Sequence, residues 1–144
     1  MLILGSFPST ASLAARQYYA HPQNQFWRIL GAVIEQPLHE MDYASRLVAV
    51  QAAGIAIWDV FASCERAGSL DTAIRNAVPN DFSLLKKPAL VIRRVCFNGR
   101  MAARCIRAIE ALDFAARVLP STSPAHAGMR CEEKLVAWRA ALLE

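Results

Sequence analysis

The sequence predicts an α/β fold: a three-layer αβα sandwich around a central four-stranded parallel sheet, built as a single domain over residues 1–144. Three observations carry this. Short runs rich in apolar, mostly β-branched or aromatic residues recur four times, at residues 2–4, 55–61, 90–97 and 116–119. Between them lie segments whose apolar residues repeat with helical spacing, the order that gives parallel strands joined by crossover helices. Hydrophobic residues make up 55% of the chain and charged residues 19%, which supplies one core and excludes disorder as the main state.

Taken in order, Met1 leads straight into Leu2-Ile3-Leu4 and Gly5. With no positively charged start and no small-residue cleavage site, this reads as a core strand and not as a signal peptide. The start is abrupt, and a short leading segment before it is compatible with the pattern. Residues 6–23 contain Pro8, Pro22 and two tyrosines and read as a long functional loop, with one helical turn around residues 12–16. From Pro22 the pattern turns helical, with Phe26, Leu30, Val33 and Ile34 on one face. Pro22 suits the first helical position, where its missing N–H costs nothing, and Pro37 ends the helix. Residues 42–53 form a second helix, stopped by Gly54.

The run 55–61 is a strand bounded by the polar Ser63-Cys64-Glu65-Arg66. Residues 70–76 read as a short helix, Pro79-Asn80-Asp81 as a turn and residues 82–86 as a brief helix. A third strand over 90–97 halts at Asn98-Gly99. Ala102, Ile106, Ile109 and Leu112 then mark an amphipathic helix, residues 116–119 a fourth strand, and residues 120–128 a loop. The last helix carries Leu135, Trp138 and Leu142 on one face. Trp27, Trp58 and Trp138 are assigned to the core.

Several function classes are excluded early. Cys64, Cys96, Cys105 and Cys131 are scattered without any paired spacing, which supports neither a metal site nor an iron–sulfur cluster and fits reduced thiols in the cytoplasm. No cofactor is implied. The longest apolar runs, such as 54–60, are far too short to cross a bilayer. A net charge of +4 suits a polyanionic partner, with Arg93, Arg94, Arg100, Arg104, Arg107, Arg130 and Arg139 concentrated in the second half. In an open parallel sheet, ligands gather beyond the carboxyl ends of the strands. Three chemically loaded segments leave those ends: 6–24, Asn98-Gly99 and 121–126.

The first of these reads Gly5-Ser6-Phe7-Pro8-Ser9, then Gln17-Tyr18-Tyr19-Ala20-His21-Pro22-Gln23-Asn24-Gln25-Phe26-Trp27. It resembles the uracil-DNA glycosylase superfamily and, within it, the hypoxanthine (deoxyinosine) DNA glycosylase branch. Phe97-Asn98-Gly99, the run Leu119-Pro120-Ser121-Thr122-Ser123-Pro124-Ala125-His126 and the stretch from Gly54 to Phe82 agree, so the resemblance covers nearly the whole chain. It implies a uracil-DNA glycosylase-like fold and a monomer acting on double-stranded DNA that holds a deaminated or mismatched base. It departs from the wider superfamily at Phe7, where many members place a water-activating Asn or Asp. In the hypoxanthine branch that role falls to the asparagine of an HPxNxFW segment, which is Asn24 here. His126 stands where the second motif usually has Asn.

Hydrolysis of an N-glycosidic bond needs a placed water, a donor to the leaving base and a dry pocket that only an extruded nucleotide enters. An asparagine carbonyl can orient water without taking its proton, and Asn24 is placed by this reading in the first helical turn. The resemblance further implies Ser6, Phe7, Tyr19, Asn98 and His126 at the base, with Phe7 and Tyr19 stacking on a flipped purine. Pro8, His21, Gly99, Ser121, Ser123 and Arg130 are implied at the DNA backbone, the two serines as phosphate clamps beside a helix start. His21 serves equally well as a helix cap, and His126 as a solvated loop residue. Asp59 and Asp71 read as loop supports. Lys86, Lys87 and Lys134 lie outside the motif segments, which disfavours a Schiff-base lyase. Two other classes stay open: a small-molecule hydrolase using Ser6 or Ser9, although no G-x-S-x-G elbow is present, and a DNA-binding relative without catalysis.

Overall fold

The side chains of Leu2–Gly5 (β1) alternate across the sheet, with Leu2 and Leu4 entering one apolar cluster and Ile3 the other. The computed structural model describes all of residues 1–144. Four parallel strands lie in the order β2-β1-β5-β6, where β2 is Ala56–Asp59, β5 is Arg94–Asn98 and β6 is Ala115–Leu119. The central pair, β1 and β5, is almost wholly buried, while β6 exposes Arg117 and Val118 on the sheet edge.

One face of the sheet is covered by three helices: α2 (Phe26–Ile34), α3 (Tyr43–Ala52) and α5 (Cys131–Leu143). Phe26, Leu30 and Trp138 meet Ile3 and Cys96 there, all fully buried. Asp42 caps α3 by accepting from Ser45 N at 2.8 Å, an interaction worth about 1 kcal/mol. The opposite face is thinner. It carries the short helix α4 (Ile106–Glu110), a 3₁₀ turn over Phe82–Lys86, and an antiparallel hairpin of β3 (Phe61–Glu65) and β4 (Arg75–Pro79). Leu2, Leu4, Val95 and Phe97 pack against Phe61, Ile74, Phe82 and Ile109 on this side. The expected sandwich therefore stands, with one helical layer and one mixed layer.

The hairpin is the main correction to the predicted elements. Residues 70–76 were expected as a helix, yet only Asp71–Ala73 make one 3₁₀ turn before the chain enters β4. The expected strand 55–61 ends at Asp59, and the chain restarts as β3 after Val60. Ladder bonds between β3 and β4 and the burial of Phe61 and Ile74 override a weak local pattern. The third strand is shorter than 90–97, beginning only at Arg94. Trp58 is half-buried, while Trp27 and Trp138 are core residues as expected.

Helix α2 starts at Phe26, not Pro22, and ends at Ile34, with Glu35 in the left-handed region (φ 57°) before Pro37 is reached. The reason lies in the preceding turn. Asn24 N donates to His21 O in a tight turn, and Gln25 N is drawn across to Thr122 O on another loop, so the helix opens only at Phe26. The loop 6–23 contains α1 (Thr10–Ala15), capped by Ser9 and slightly ahead of the helical turn expected at 12–16. No helix is long and apolar enough to cross a membrane.

Candidate active site

From β1 the chain crosses to one neighbour, β2, whereas β5 leads on to β6 in the other direction. The crevice where these connections diverge opens at the carboxyl ends of β1 and β5, the position where such sheets bind ligands. A pocket sits there, walled by the loop after β1, Asp59, Asp71, Asn98 and residues 121–123. It brings together Ser6, Phe7, Pro8, Tyr19, His21, Asn24, Asn98, Ser121 and Ser123.

Asn24 stands in the turn before α2, and its side-chain orientation is fixed. Its Oδ1 accepts from Phe26 N at 2.9 Å, which assigns the carbonyl end of the amide and satisfies one of the free donors at the helix start. The second lone pair of that oxygen remains available for water. His21 Nδ1 accepts from Gln23 N at 3.1 Å, so the neutral ring carries its proton on Nε2 as a donor. His21 thus closes its own turn and does not cap α2.

Asn98 ends β5 with its amide fully engaged. Nδ2 donates to Tyr19 Oη at 3.1 Å and to Thr122 Oγ1 at 2.9 Å, while Oδ1 accepts from Thr122 N at 3.0 Å. It is 7% exposed and acts as a cross-link between β5, the β1 loop and residue 122. Tyr19 is held in the left-handed region at φ 54°, and its ring stacks on Phe26 with centroids 3.8 Å apart, so one face is already occupied. Burial pushes the Tyr19 phenol well above its ordinary range, and burial with the Asp59 and Tyr43 charges pushes Tyr18 up to about 12. Both remain neutral at physiological pH.

The other side of the pocket is built by residues that sequence reasoning treated as supports or missed. Ser6 Oγ donates to Asp71 Oδ1 at 2.7 Å. Arg66 lies over the Phe7 ring at 5.5 Å and donates through Nε to Gly68 O and through NH2 to Pro8 O, clamping the Phe7-Pro8 turn. Asp59 ends β2 directly beside Gly5 in the parallel register. Asn80 Nδ2 donates to its carbonyl at 2.8 Å and fixes the strand end. The Asp59 carboxyl has no hydrogen-bond partner within the protein and faces the pocket, where burial pushes its pKa up to about 7. A side chain on Gly5 would strike Tyr19 Oη at 2.8 Å and Asp59 Oδ1 at 2.9 Å, so only glycine leaves room for both oxygens.

Some expected roles change. Gly99 (φ 97°) is approached closely by Ser121, whose Cβ would lie 3.0 Å from a side chain placed there, so its bare backbone makes room for the 121–123 loop. Ser121 Oγ accepts from Ser123 N and Ser123 Oγ from Ala125 N, so those amides are already used and the hydroxyl protons are what remain for a phosphate. Helix α5 begins only at Cys131, away from this loop. Arg130 is exposed and pairs with Glu133 at 3.5 Å, and His126 is exposed beyond the pocket wall. Lys134, distant in sequence, comes up beneath the motif: it is 2% exposed and donates to Gln25 Oε1 at 3.1 Å, outside the pocket wall. No three His, Cys, Asp or Glu side chains converge on a metal-sized site.

The family model described as the uracil DNA glycosylase superfamily matches residues 1–142. The chain belongs to that superfamily. Two curated relatives named hypoxanthine DNA glycosylase, from Methanosarcina barkeri and Methanosarcina acetivorans, are 39% and 40% identical over 126 residues, covering 88% of this chain and 80% of each relative. A solution NMR structure from Methanosarcina acetivorans, provisionally named a uracil DNA glycosylase, aligns with a TM-score of 0.86 and 38% identity over 98% of this chain and 87% of the other. For a uracil DNA glycosylase superfamily member, the gathering of Asn24, Asn98 and residues 121–123 at one crevice is the arrangement the sequence motifs imply. Asp59, Asp71 and Arg66 are the residues that motif order did not reveal. The available signal was a carboxylate at the carboxyl end of a partly buried strand, at the same end of the sheet as Gly5.

Proposed function

We propose that this member of the superfamily is a monofunctional DNA glycosylase that extrudes a deaminated base, hypoxanthine foremost, from double-stranded DNA and hydrolyses its bond to deoxyribose. Family membership makes it a DNA glycosylase; the base, the flipping step and a monomeric single domain over 1–144 are the added reading. Uracil or a mismatched base is the second choice of substrate. The observation that carries it is Asn24, whose carbonyl oxygen is fixed by Phe26 N–H on the wall of the sheet-end pocket and keeps one lone pair for water.

In this mechanism the nucleotide leaves the stack, at a cost of a few kcal/mol, and its base enters the crevice. Phe7 offers a ring for stacking, braced from behind by Arg66. Ser121, Ser123 and the Nε2–H of His21 take the flanking phosphate oxygens, while His126 and Arg130 face the duplex beyond the pocket. As the C1′–N bond breaks, positive charge grows on the sugar, and the water held by Asn24 adds to C1′. One water proton is released as the hydroxyl forms, and the base departs after gaining a proton. No lysine lines the pocket, which supports water as nucleophile and an abasic site as product.

The hydroxyls of Ser6 and Ser9 engage Asp71 and Ser12 and no histidine, which disfavours the serine-hydrolase alternative. The test is single-turnover base release from duplexes holding hypoxanthine, uracil or thymine opposite each normal base. Hypoxanthine release that drops about 100-fold or more in Asn24→Ala, with folding retained, is the expected result. Binding of damaged duplex without release of any base would put the non-catalytic reading in its place.

A further inference from the structure

We propose that Asp59 is a second catalytic residue, which enters the complex as a neutral carboxylic acid and donates its proton to the departing base. The proposal rests on the glycosylase reading and adds a residue to that same site.

The geometry comes first. Asp59 is the last residue of β2, paired in register with Gly5, and its backbone is pinned by Asn80. The side chain therefore projects from a rigid strand end into the crevice and not from a loop. Its Oδ1 lies within 2.9 Å of the point where a Gly5 side chain would begin, so the β1 exit has been left bare for it. No buried side-chain polar atom is left without a partner, and the polar groups around the half-buried Asp59 bond to one another: Ser6 to Asp71, Asn98 to Tyr19 and Thr122. The Asp59 carboxyl makes no such bond. A group shaped into a pocket with its bonding capacity unused is directed at a ligand.

The charge balance decides its protonation state. The other titratable groups on the pocket wall are Tyr18, Tyr19, His21 and Asp71, and no lysine or arginine joins them. Two are phenols held neutral, and Asp71 is a further carboxyl. No lysine or arginine lines the pocket to favour an ionised Asp59, and burial alone already brings it to about 7. A bound duplex adds phosphate charge, and a base in the pocket removes water, both of which favour the acid form further. A carboxylic acid in that setting donates, because negative charge grows on the ring nitrogens of a departing purine. The proton passes from Asp59 to a nitrogen of the base as the C1′–N bonding pair leaves with it. The water held by Asn24 supplies hydroxyl to C1′, and its released proton restores the acid.

The test is single-turnover release of hypoxanthine between pH 5.5 and 8.5 by the wild type, Asp59→Asn and Asp59→Ala, with duplex affinity measured in parallel. The wild type is expected to hold a plateau at low pH and to lose about tenfold per unit above a break at or beyond 7. Both variants should bind duplex normally, run about 100-fold below the plateau at pH 6, and show no break. A wild-type rate that is flat or rises with pH, or variants within threefold of wild type at pH 6, would overturn the acid role alone. A wild type that releases no base from any duplex would overturn the glycosylase reading, and this one with it.

Discussion

The two sides of the pocket contain similar side chains and use them in opposite ways. On the β5–β6 side, Asn98 is bonded through both ends of its amide, Tyr19 is stacked on Phe26, and Gln25 is held by Thr122 O from one direction and Lys134 from another. On the β2 side, Asp59 faces the cavity unbonded and Phe7 presents a ring with only Arg66 behind it. The first side is saturated and defines shape; the second holds its capacity in reserve. Stability and the proposed proton donation thus draw on different walls, and substitutions should separate them.

The sharpest separation is expected at Asn98. Asn98→Ala removes three hydrogen bonds in dry surroundings and strands Thr122 N–H, at a cost of about 3 kcal/mol. A thermal melt should fall by roughly 10 °C. Asp59→Asn should do the reverse. The folded carboxyl keeps its proton up to about 7, while the unfolded one loses it from about 4 upward. The penalty therefore grows as pH rises from 4 to 7 and is complete above that. Denaturant titrations should find the variant more stable than wild type at pH 8, by up to about 4 kcal/mol, and equal to it at pH 4. A variant less stable at pH 8 would mean that Asp59 belongs to the saturated wall after all.

Smaller effects should refine the same contrast. Arg66→Ala frees the Phe7-Pro8 turn, and single-turnover release is expected to slow about fivefold while stability falls by about 1 kcal/mol. His126→Ala, outside both walls, should weaken duplex binding no more than about threefold and leave the saturating rate unchanged. A rate loss there as large as that of Arg66→Ala would bring His126 back to the base.

What was legible in the sequence follows the same division. The strands at β1, β5 and β6 announce themselves as apolar runs, and Asp42 and Gly54 mark the ends of α3, because these signals are local. Asn24, Asn98 and Ser121 are legible because motif order along the chain carries them. The β3–β4 hairpin is not: its strands are largely exposed, its ladder is irregular and Asn76 adopts φ 50°, so no alternation is written into it. Asp59 gains its place only when β2 pairs with β1 in a register that sets it beside Gly5. Linear spacing does not encode that neighbour. The late start of α2 has the same origin, since Thr122 O, almost a hundred residues away, takes the Gln25 amide.

Helix α5 links the pocket to the order in which the chain is made. Lys134 braces Gln25 next to Asn24, and Trp138 Nε1 donates to Pro120 O at the head of the 121–123 loop. Both struts come from one helix that follows every segment it supports. While a nascent chain still lacks α5, the two loops are without both struts and keep only the Gln25–Thr122 and Asn98 links between them. A polypeptide cut short before α5 should therefore hold its two loops loosely and release base far more slowly than the full chain.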